Sequence, residues 1–411
     1  MPDLSRRAAL GAATGAALVA GVARASDAVA QGAPTAPLPM RGNEGADILG
    51  PRNLAREAQN PDIVSPPNTD AGTLPNLRFS FADSHQRIEP GGWARQVTAR
   101  ELPVSKSIAG VNMRLKSNVV RELHWHKEAE WSYMLAGRAR ITAVDADGNF
   151  FIDDVGPGDL WYFPSGIPHS IQGIGDEGCE FLLVFDSGDF SEDSTFLLTD
   201  WFAHTPKDVL AKNFALPASA FDNIPKKELY IFPAPAPGAT VAADTPQGAG
   251  KVPESFSHRM LAQDPFRFPG GTVRITDSKV FKASKTIAAA LVEVEPGGIR
   301  ELHWHPNTDE WQYYIEGTGR MTVFASQSSA RTFDFAAGDV GYVPFAQGHY
   351  IENTGSTTLR FLEMFRSDHY ADISARQWLA LTPHALVQAH LNLPAGAVEG
   401  FPTAKTVVIK G

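Results

Sequence analysis

The sequence predicts an all-β protein with minor helices, built from two tandem antiparallel sandwich or barrel domains, and three observations support this. The 411-residue chain holds 36 Gly and 30 Pro, more breakers than a protein of long helices accommodates. Segments such as Ala139 to Val144 and Arg320 to Phe324 alternate apolar and polar residues, with turn clusters at 145–149 and 157–159 nearby. The third observation is internal repetition. At an offset of 179, Gly91-Gly92 falls on Gly270-Gly271, Arg95 on Arg274 and Ser105-Lys106 on Ser284-Lys285, ending in RELHWH at 121–126 and 300–305. Beyond it the offset is 180, with Glu130-Trp131 on Glu310-Trp311, Gly158-Asp159 on Gly338-Asp339 and His169 on His349. A period this long makes each copy a domain rather than a solenoid unit.

Taken in order, residues 1–30 read as a twin-arginine signal peptide, with Ser5-Arg6-Arg7, Leu10 and an uncharged stretch from Ala8 to Ala23. That stretch is short and weakly apolar for a membrane span, so no stable span is expected after processing. Cleavage after Ala25 or after Ala30 fits the small-x-small rule equally. Such leaders carry folded proteins, so the mature chain is expected to be periplasmic or secreted. Residues 31–75 are rich in Pro, Gly, Asn and Asp and read as an extended arm. The first domain follows at 76–232, a Pro/Gly/Ala linker at 233–255, and the second domain at 256–411. Each strand-rich region ends in a helical stretch, near 200–214 and 374–391.

The formal charge of −10 disfavours nucleic acid as a partner. A single cysteine, Cys179, rules out an internal disulfide and a Cys-based zinc cluster, and its apolar surroundings predict a buried, inert thiol.

Chemistry is concentrated in the histidines. His124 and His126, like His303 and His305, are two apart on a strand and project from one face. Glu130 follows the second His at +4 but Glu310 at +5, a difference that would invert a side chain on a continuous strand. Each Glu must therefore lie beyond a turn and return on the next strand. From each Glu to His169 or His349 the separation is 39 in both copies. Three His and one Glu per copy make a site for a divalent first-row metal with open positions. These ligands alone leave manganese, iron, nickel, copper and zinc open.

The same residues resemble the cupin superfamily. Its first pattern, G-x5-H-x-H-x3/4-E-x6-G, is complete from Gly297 to Gly317, and the first copy departs only at Asn118. The second pattern runs from Gly158 through Pro164, Gly166 and His169, with Gly173 for the usual Asn, and from Gly338 through Pro344 and His349 to Asn353, with Ala346 for the middle Gly. RELHWHKEAEW, FSEDSTFLLTDWFAHTP and RELHWHPNTDEWQYYIEG further resemble the bicupin oxalate decarboxylases over residues 75–400. The resemblance implies two cupin β-barrels of the double-stranded β-helix or jelly-roll type, one Mn(II) in each, O2 as co-catalyst, oxalate as substrate, and a homo-oligomer, trimer or hexamer.

Arg121 and Arg300, three residues before the first His of each copy, are placed to stabilise oxalate's charge. The copies differ between Phe185 and Trp201, where the first carries three extra residues in Ser191-Glu192-Asp193-Ser194. The family's lid glutamate, proton acceptor and then donor, matches Glu192, while Asp193 departs from the Asn of some members. The second copy has Asp372 opposite Glu192, and Glu363 where the first has Leu183. Its site is a second active site, an electron-transfer partner or a structural metal. Trp125 and Trp304 point away from the ligands. The rival functions are a bicupin oxalate oxidase, producing CO2 and peroxide, and a non-catalytic metal-binding bicupin.

Overall fold

The computed structural model describes residues 53–63 and 66–410. The leader at 1–30 and the arm as far as residue 52 lie outside them. In the second domain, one sheet carries Glu310–Glu316 between Asp339–Val343 and Leu359–Phe365, followed by Ala288–Val294, Gly271–Thr276 and Phe266–Phe268. The other runs Ser329–Ala336, Thr318–Ala325, Gly348–Asn353 and Gly298–Trp304. The first domain repeats this jelly roll, but its long strands Glu130–Val144 and His169–Phe185 cross from one face to the other and join all strands into one sheet. Gly137 allows the crossing, with φ +70° and an added Cβ only 1.9 Å from the Gly178 carbonyl oxygen. No described sheet closes fully into a barrel.

The departures from the cupin patterns have local explanations. Gly297 has φ +76°, and Asn118 at the matching position holds +58°. Likewise Ala346 holds φ +60° where Gly166 has +77°. The backbone keeps its left-handed turn at both sites, easily for Asn and at some cost for Ala.

Chain order and spatial membership diverge at two strands. Arg78–Ser80 adds to the second domain's Asp339–Val343, and Ser257–Arg259, 179 residues later, adds to the first domain's Asp159–Phe163. Each domain lends an edge strand to the other, covering an edge that would otherwise expose unpaired backbone groups. Phe81, Trp311 and Tyr342 share one apolar core with Trp161, Tyr162, Phe256 and Met260. The two domains therefore pack as one body.

The arm corrects an expectation, because it is not extended throughout. Leu54–Gln59 is helical, its first turn capped by the Asn53 side chain, and Pro61–Ile63 forms a 3-10 turn. The Asp62 N–H donates to Asp334 at 3.0 Å, and Asp70 accepts from the Thr332 N–H and hydroxyl. These contacts hold the arm against the strand Ser329–Ala336 of the second domain. The helical stretches resolve into Leu198–Ala203 with Lys207–Phe214, and Ala375–Ala380 with His384–Leu391. Cys179 is buried, and burial raises its thiol to about 12.

Candidate metal centres and active site

Both ligand sets come together as the spacing requires. In the first domain, Val119–Trp125 pairs with His169–Phe185 so that His124 faces His169, with an irregular register just before them. Glu130 opens the next strand, beyond the turn at 127–129. The donor atoms of His124, His126, Glu130 and His169 lie within 4.8 Å of one another, as do those of His303, His305, Glu310 and His349. All eight residues are buried.

Each imidazole is oriented by a backbone carbonyl. Nδ1 of His124, His126 and His169 meets the carbonyls of Glu122, Glu128 and Ile167, and that of His303, His305 and His349 meets those of Glu301, Ala371 and Gln347. A carbonyl only accepts, so Nδ1 carries the proton and Nε2 presents a lone pair. Nε2 of His303 is buried without a hydrogen-bond partner, while Nε2 of His305 and of His349 lie 3.0 and 2.8 Å from Glu310 Oε2 and that of His169 lies 3.5 Å from Glu130 Oε2. Burial pushes His124 and His303 well below the ordinary imidazole range, keeping them neutral. Burial alone would raise Glu130, but His169 and His126 outweigh it and hold the carboxylate ionised. Three lone pairs and one carboxylate aimed at a common point fit a divalent cation.

The glutamates are steered by residues that no sequence motif marks. Trp161 donates Nε1 to Glu130 Oε1 at 2.8 Å, whereas in the second copy Gln312 donates Nε2 to Glu310 Oε1 at 2.7 Å. Gly341, the counterpart of Trp161, makes room for Gln312, since a Cβ there would lie 2.3 Å from its Oε1. Each domain thus directs the other carboxylate oxygen toward the histidines by a different route.

Above the first set lies buried Arg121. Its Nη2 is 3.2 Å from Glu192 Oε2, which also accepts the Tyr230 hydroxyl at 2.8 Å. The Arg121 guanidinium sits 4.2 Å over the Tyr230 ring. Tyr230 has φ +53°, a strained conformation for a bulky residue. Glu122, the neighbour of Arg121, fixes it there. One Glu122 oxygen accepts the N–H of Leu229 and of Tyr230, each at 2.8 Å, and the other accepts the N–H and hydroxyl of Thr199. Tyr230 and Glu122 escaped the sequence reading, because Tyr230 lies 38 residues beyond Glu192 in no recognised pattern. Repetition could have flagged Glu122, which recurs as Glu301 within RELHWH.

In the second site the matching arginine is engaged by its own domain. Arg300 bonds Glu363 at 3.0 Å, Asp372 at 3.0 Å and the Tyr370 hydroxyl at 2.8 Å. Asp372 is also paired with Lys405, and despite burial Arg300 and Lys405 lower it to about 2. Arg300 is therefore paired with two protein carboxylates, although its Nη1 has no hydrogen-bond partner, while the one carboxylate that Arg121 meets is that of the loop residue Glu192. Trp125 lies on the opposite face of its strand, stacked on Phe196 at 5.5 Å, and Trp304 packs on Trp378.

Together, the duplicated jelly roll and its paired His3Glu sets define a bicupin with two metal centres. A cupin family model matches residues 79–220 and 258–398. The chain is 59% identical to oxalate decarboxylase OxdC of Bacillus subtilis, over 91% of this chain and 97% of that protein. It is 43% identical to a probable oxalate decarboxylase of Arthroderma benhamiae, over 96% of this chain and 99% of that one. A solved structure of the B. subtilis enzyme, from a study of its Mn(II) centres, superposes with a TM-score of 0.88 at 58% identity, covering 91% of this chain and 100% of the other. The chain belongs to the bicupin oxalate decarboxylase family.

Proposed function

We propose that the chain converts oxalate to formate and CO2 in its first domain. The observation that carries this reading is the cluster of Arg121, Glu192 and Tyr230 over one metal centre, where the other centre has an arginine already neutralised by Glu363 and Asp372. A substrate carboxylate needs a cationic group able to receive it, and Arg121 can exchange Glu192 for that carboxylate without leaving its own buried charge unpaired.

Manganese(II), held by His124, His126, Glu130 and His169 and again by His303, His305, Glu310 and His349, would supply Lewis acidity and one-electron chemistry. The family resemblance further implies an O2 requirement. The protein's own part concerns charge and protons. Arg121 orients one carboxylate. Glu192 accepts the proton of the hydrogen-oxalate monoanion. As the bond between the two carboxyl carbons breaks and CO2 leaves, Glu192 returns that proton to the remaining carbon, giving formate. Atoms and charge balance, with hydrogen oxalate yielding CO2 and formate. Tyr230 holds Glu192 in place between the two transfers.

Formate and peroxide measured from one oxalate incubation, with metal analysis of the same sample, test the reading. Formate close to one per oxalate with manganese bound supports it. Peroxide without formate would make the chain an oxidase, and neither product would leave a binding protein.

Export through the twin-arginine route, with metal loaded in the cytoplasm before transport, completes the proposal. Among the described residues no helix is long and apolar enough to cross a membrane. Recovery of the full-length precursor from the cytoplasm alone would refute export. A homo-oligomer is also proposed. Exposed aromatics on the helices, such as Trp201 and Trp378, support it, and light scattering of the purified protein tests it.

A further inference from the structure

A cavity of about 310 Å³ lies outside the Glu192 loop, and Arg87, Arg95 and Arg100 contribute to its wall. Glu192 and Tyr230 also line it, so these two residues form the partition between the cavity and the first metal centre. Two guanidinium groups lie over the Tyr230 ring, Arg87 at 3.5 Å and Arg121 at 4.2 Å. Two cations do not share one ring face at such distances, so Arg87 takes the cavity side and Arg121 the metal side.

Within this wall the arginines are not equally engaged. Arg87 is paired with Glu89 and Glu228. Arg95 gives Nε to the Asn112 side chain at 2.9 Å and Nη1 to the Phe81 carbonyl at 3.3 Å, and among the described residues no carboxylate lies within ion-pair distance of it. Its counterpart Arg274 meets Glu293 at 3.2 Å. Arg100 is exposed and likewise without a carboxylate. Of the acids facing the cavity, Glu101 is turned to the N–H and hydroxyl of Thr98, Glu192 is held by Arg121 and Tyr230, and Asp193 is exposed.

The duplication supplies an internal comparison. An equivalent cavity of about 350 Å³ stands over the second site, where Phe266, Val273 and Ile275 replace Arg87, Ala94 and Gln96. Strand register fixes the equivalence, since Arg87 pairs with Ala94 as Phe266 pairs with Val273. One fold therefore carries the same recess twice: over the second site its charged lining is the Lys405–Asp372 pair among apolar residues, and over the first it holds three arginines, of which Arg95 and Arg100 have no carboxylate partner among the described residues.

We propose that the first cavity is an outer binding site for a small dicarboxylate, held by Arg95 and Arg100 against the closed Glu192 loop before it passes to Arg121. On a chain of formal charge −10, an anion must be captured by local charge rather than by the protein's overall field. The proposal rests on the oxalate reading above.

The test uses the metal-loaded full chain carrying Arg95→Gln with Arg100→Gln. The expected result is a three- to tenfold rise in KM for oxalate, with the change falling on KM rather than kcat, and a flatter dependence of kcat/KM on ionic strength. Arg100→Gln alone, at an exposed position that cannot compromise folding, is expected to raise KM about two- to threefold. Lys279→Gln, its counterpart in the second domain, serves as control. KM and salt slope within the error of the parent in both Arg variants would overturn the outer site. Should the parent itself release no formate, the oxalate reading fails separately, and calorimetry of oxalate binding then decides. Affinity at least fivefold weaker in the double variant upholds the site, and equal affinity overturns it.

Discussion

Tyr230 donates its hydroxyl to Glu192 Oε2 at 2.8 Å, and the same oxygen lies 3.2 Å from Arg121 Nη2. One carboxylate oxygen thus ties the loop to both the strand that carries Arg121 and the segment that carries Tyr230. Under the proposed chemistry, Glu192→Gln removes the proton carrier. Formate production is expected to fall by about 10²–10⁴-fold while both metals remain bound. Tyr230→Phe keeps the ring between its two arginines but deletes the donor, and a fall of about 10- to 100-fold is expected, as for one hydrogen bond to a charged group. Formate assays paired with metal analysis check both, and a Gln variant as active as the parent would remove Glu192 from the mechanism.

Glu122 and Glu301 occupy the same place in RELHWH and are both buried, yet they are not equally engaged. Glu122 accepts from three backbone N–H groups and one hydroxyl, while both Glu301 oxygens lack a hydrogen-bond partner. Glu122→Ala strands the buried N–H of Tyr230 and the part-buried N–H groups of Leu229 and Thr199, and it releases the strained Tyr230. A loss of about 3 kcal/mol in urea unfolding is expected, with Glu301→Ala costing clearly less. Equal losses would show that the clamp on Tyr230 contributes nothing.

His126→Ala removes one of the four convergent donors in the first domain and leaves the second set intact. Metal bound per chain is expected to fall from two toward one, with formate production lost. Chelation of the parent should lower its melting temperature, because four donors built around a cation are stabilised by its binding. Mass spectrometric metal analysis and a thermal melt provide the readings. An unchanged melt after complete metal removal would mean that the centres do not contribute to stability.

Asp62, on the arm, is raised to about 7 by burial and then by Asp334, with Arg320 opposing. Its Oδ2 lies 2.9 Å from Arg320 Nε, which also meets Asp334. A carboxyl whose folded value exceeds its unfolded one favours the docked state most below the unfolded value. That contribution is lost as the pH rises through the folded value. The arm is therefore expected to dock most firmly at about pH 4 and to loosen through pH 7. Hydrogen exchange of residues 54–63 at pH 5 and pH 8 measures this, and Asp62→Asn should flatten the difference. Faster exchange at pH 5 would reverse the assignment.

The metal centres were legible because ligand chemistry demands particular residue types at particular spacings, and the repeat displayed each twice. The one-residue discrepancy between Glu130 and Glu310 even revealed the turn that the strands Glu130–Val144 and Glu310–Glu316 begin after. Glu192 was legible only through three extra residues and the family it resembles. Tyr230, Trp161 and Gln312 were not legible. Each acts through a single side-chain atom whose partner is remote in the chain or differs between the copies.

By itself, the sequence determined that there are two antiparallel β units, each with three histidines and a glutamate for one metal, because alternation and ligand spacing are local along a strand. Only the tertiary structure decided which arginine is paired with a loop carboxylate alone and which with two carboxylates. Arg121 and Arg300 sit in identical hexapeptides, and what separates them is Glu363 and Asp372, 63 and 72 residues from Arg300. It also decided that the edge strands at 78–80 and 257–259 are exchanged between domains. The physical reason is the same for both. Charge neutralisation and edge pairing depend on which groups meet in space, and a buried guanidinium or an open sheet edge takes whichever partner the fold brings to it.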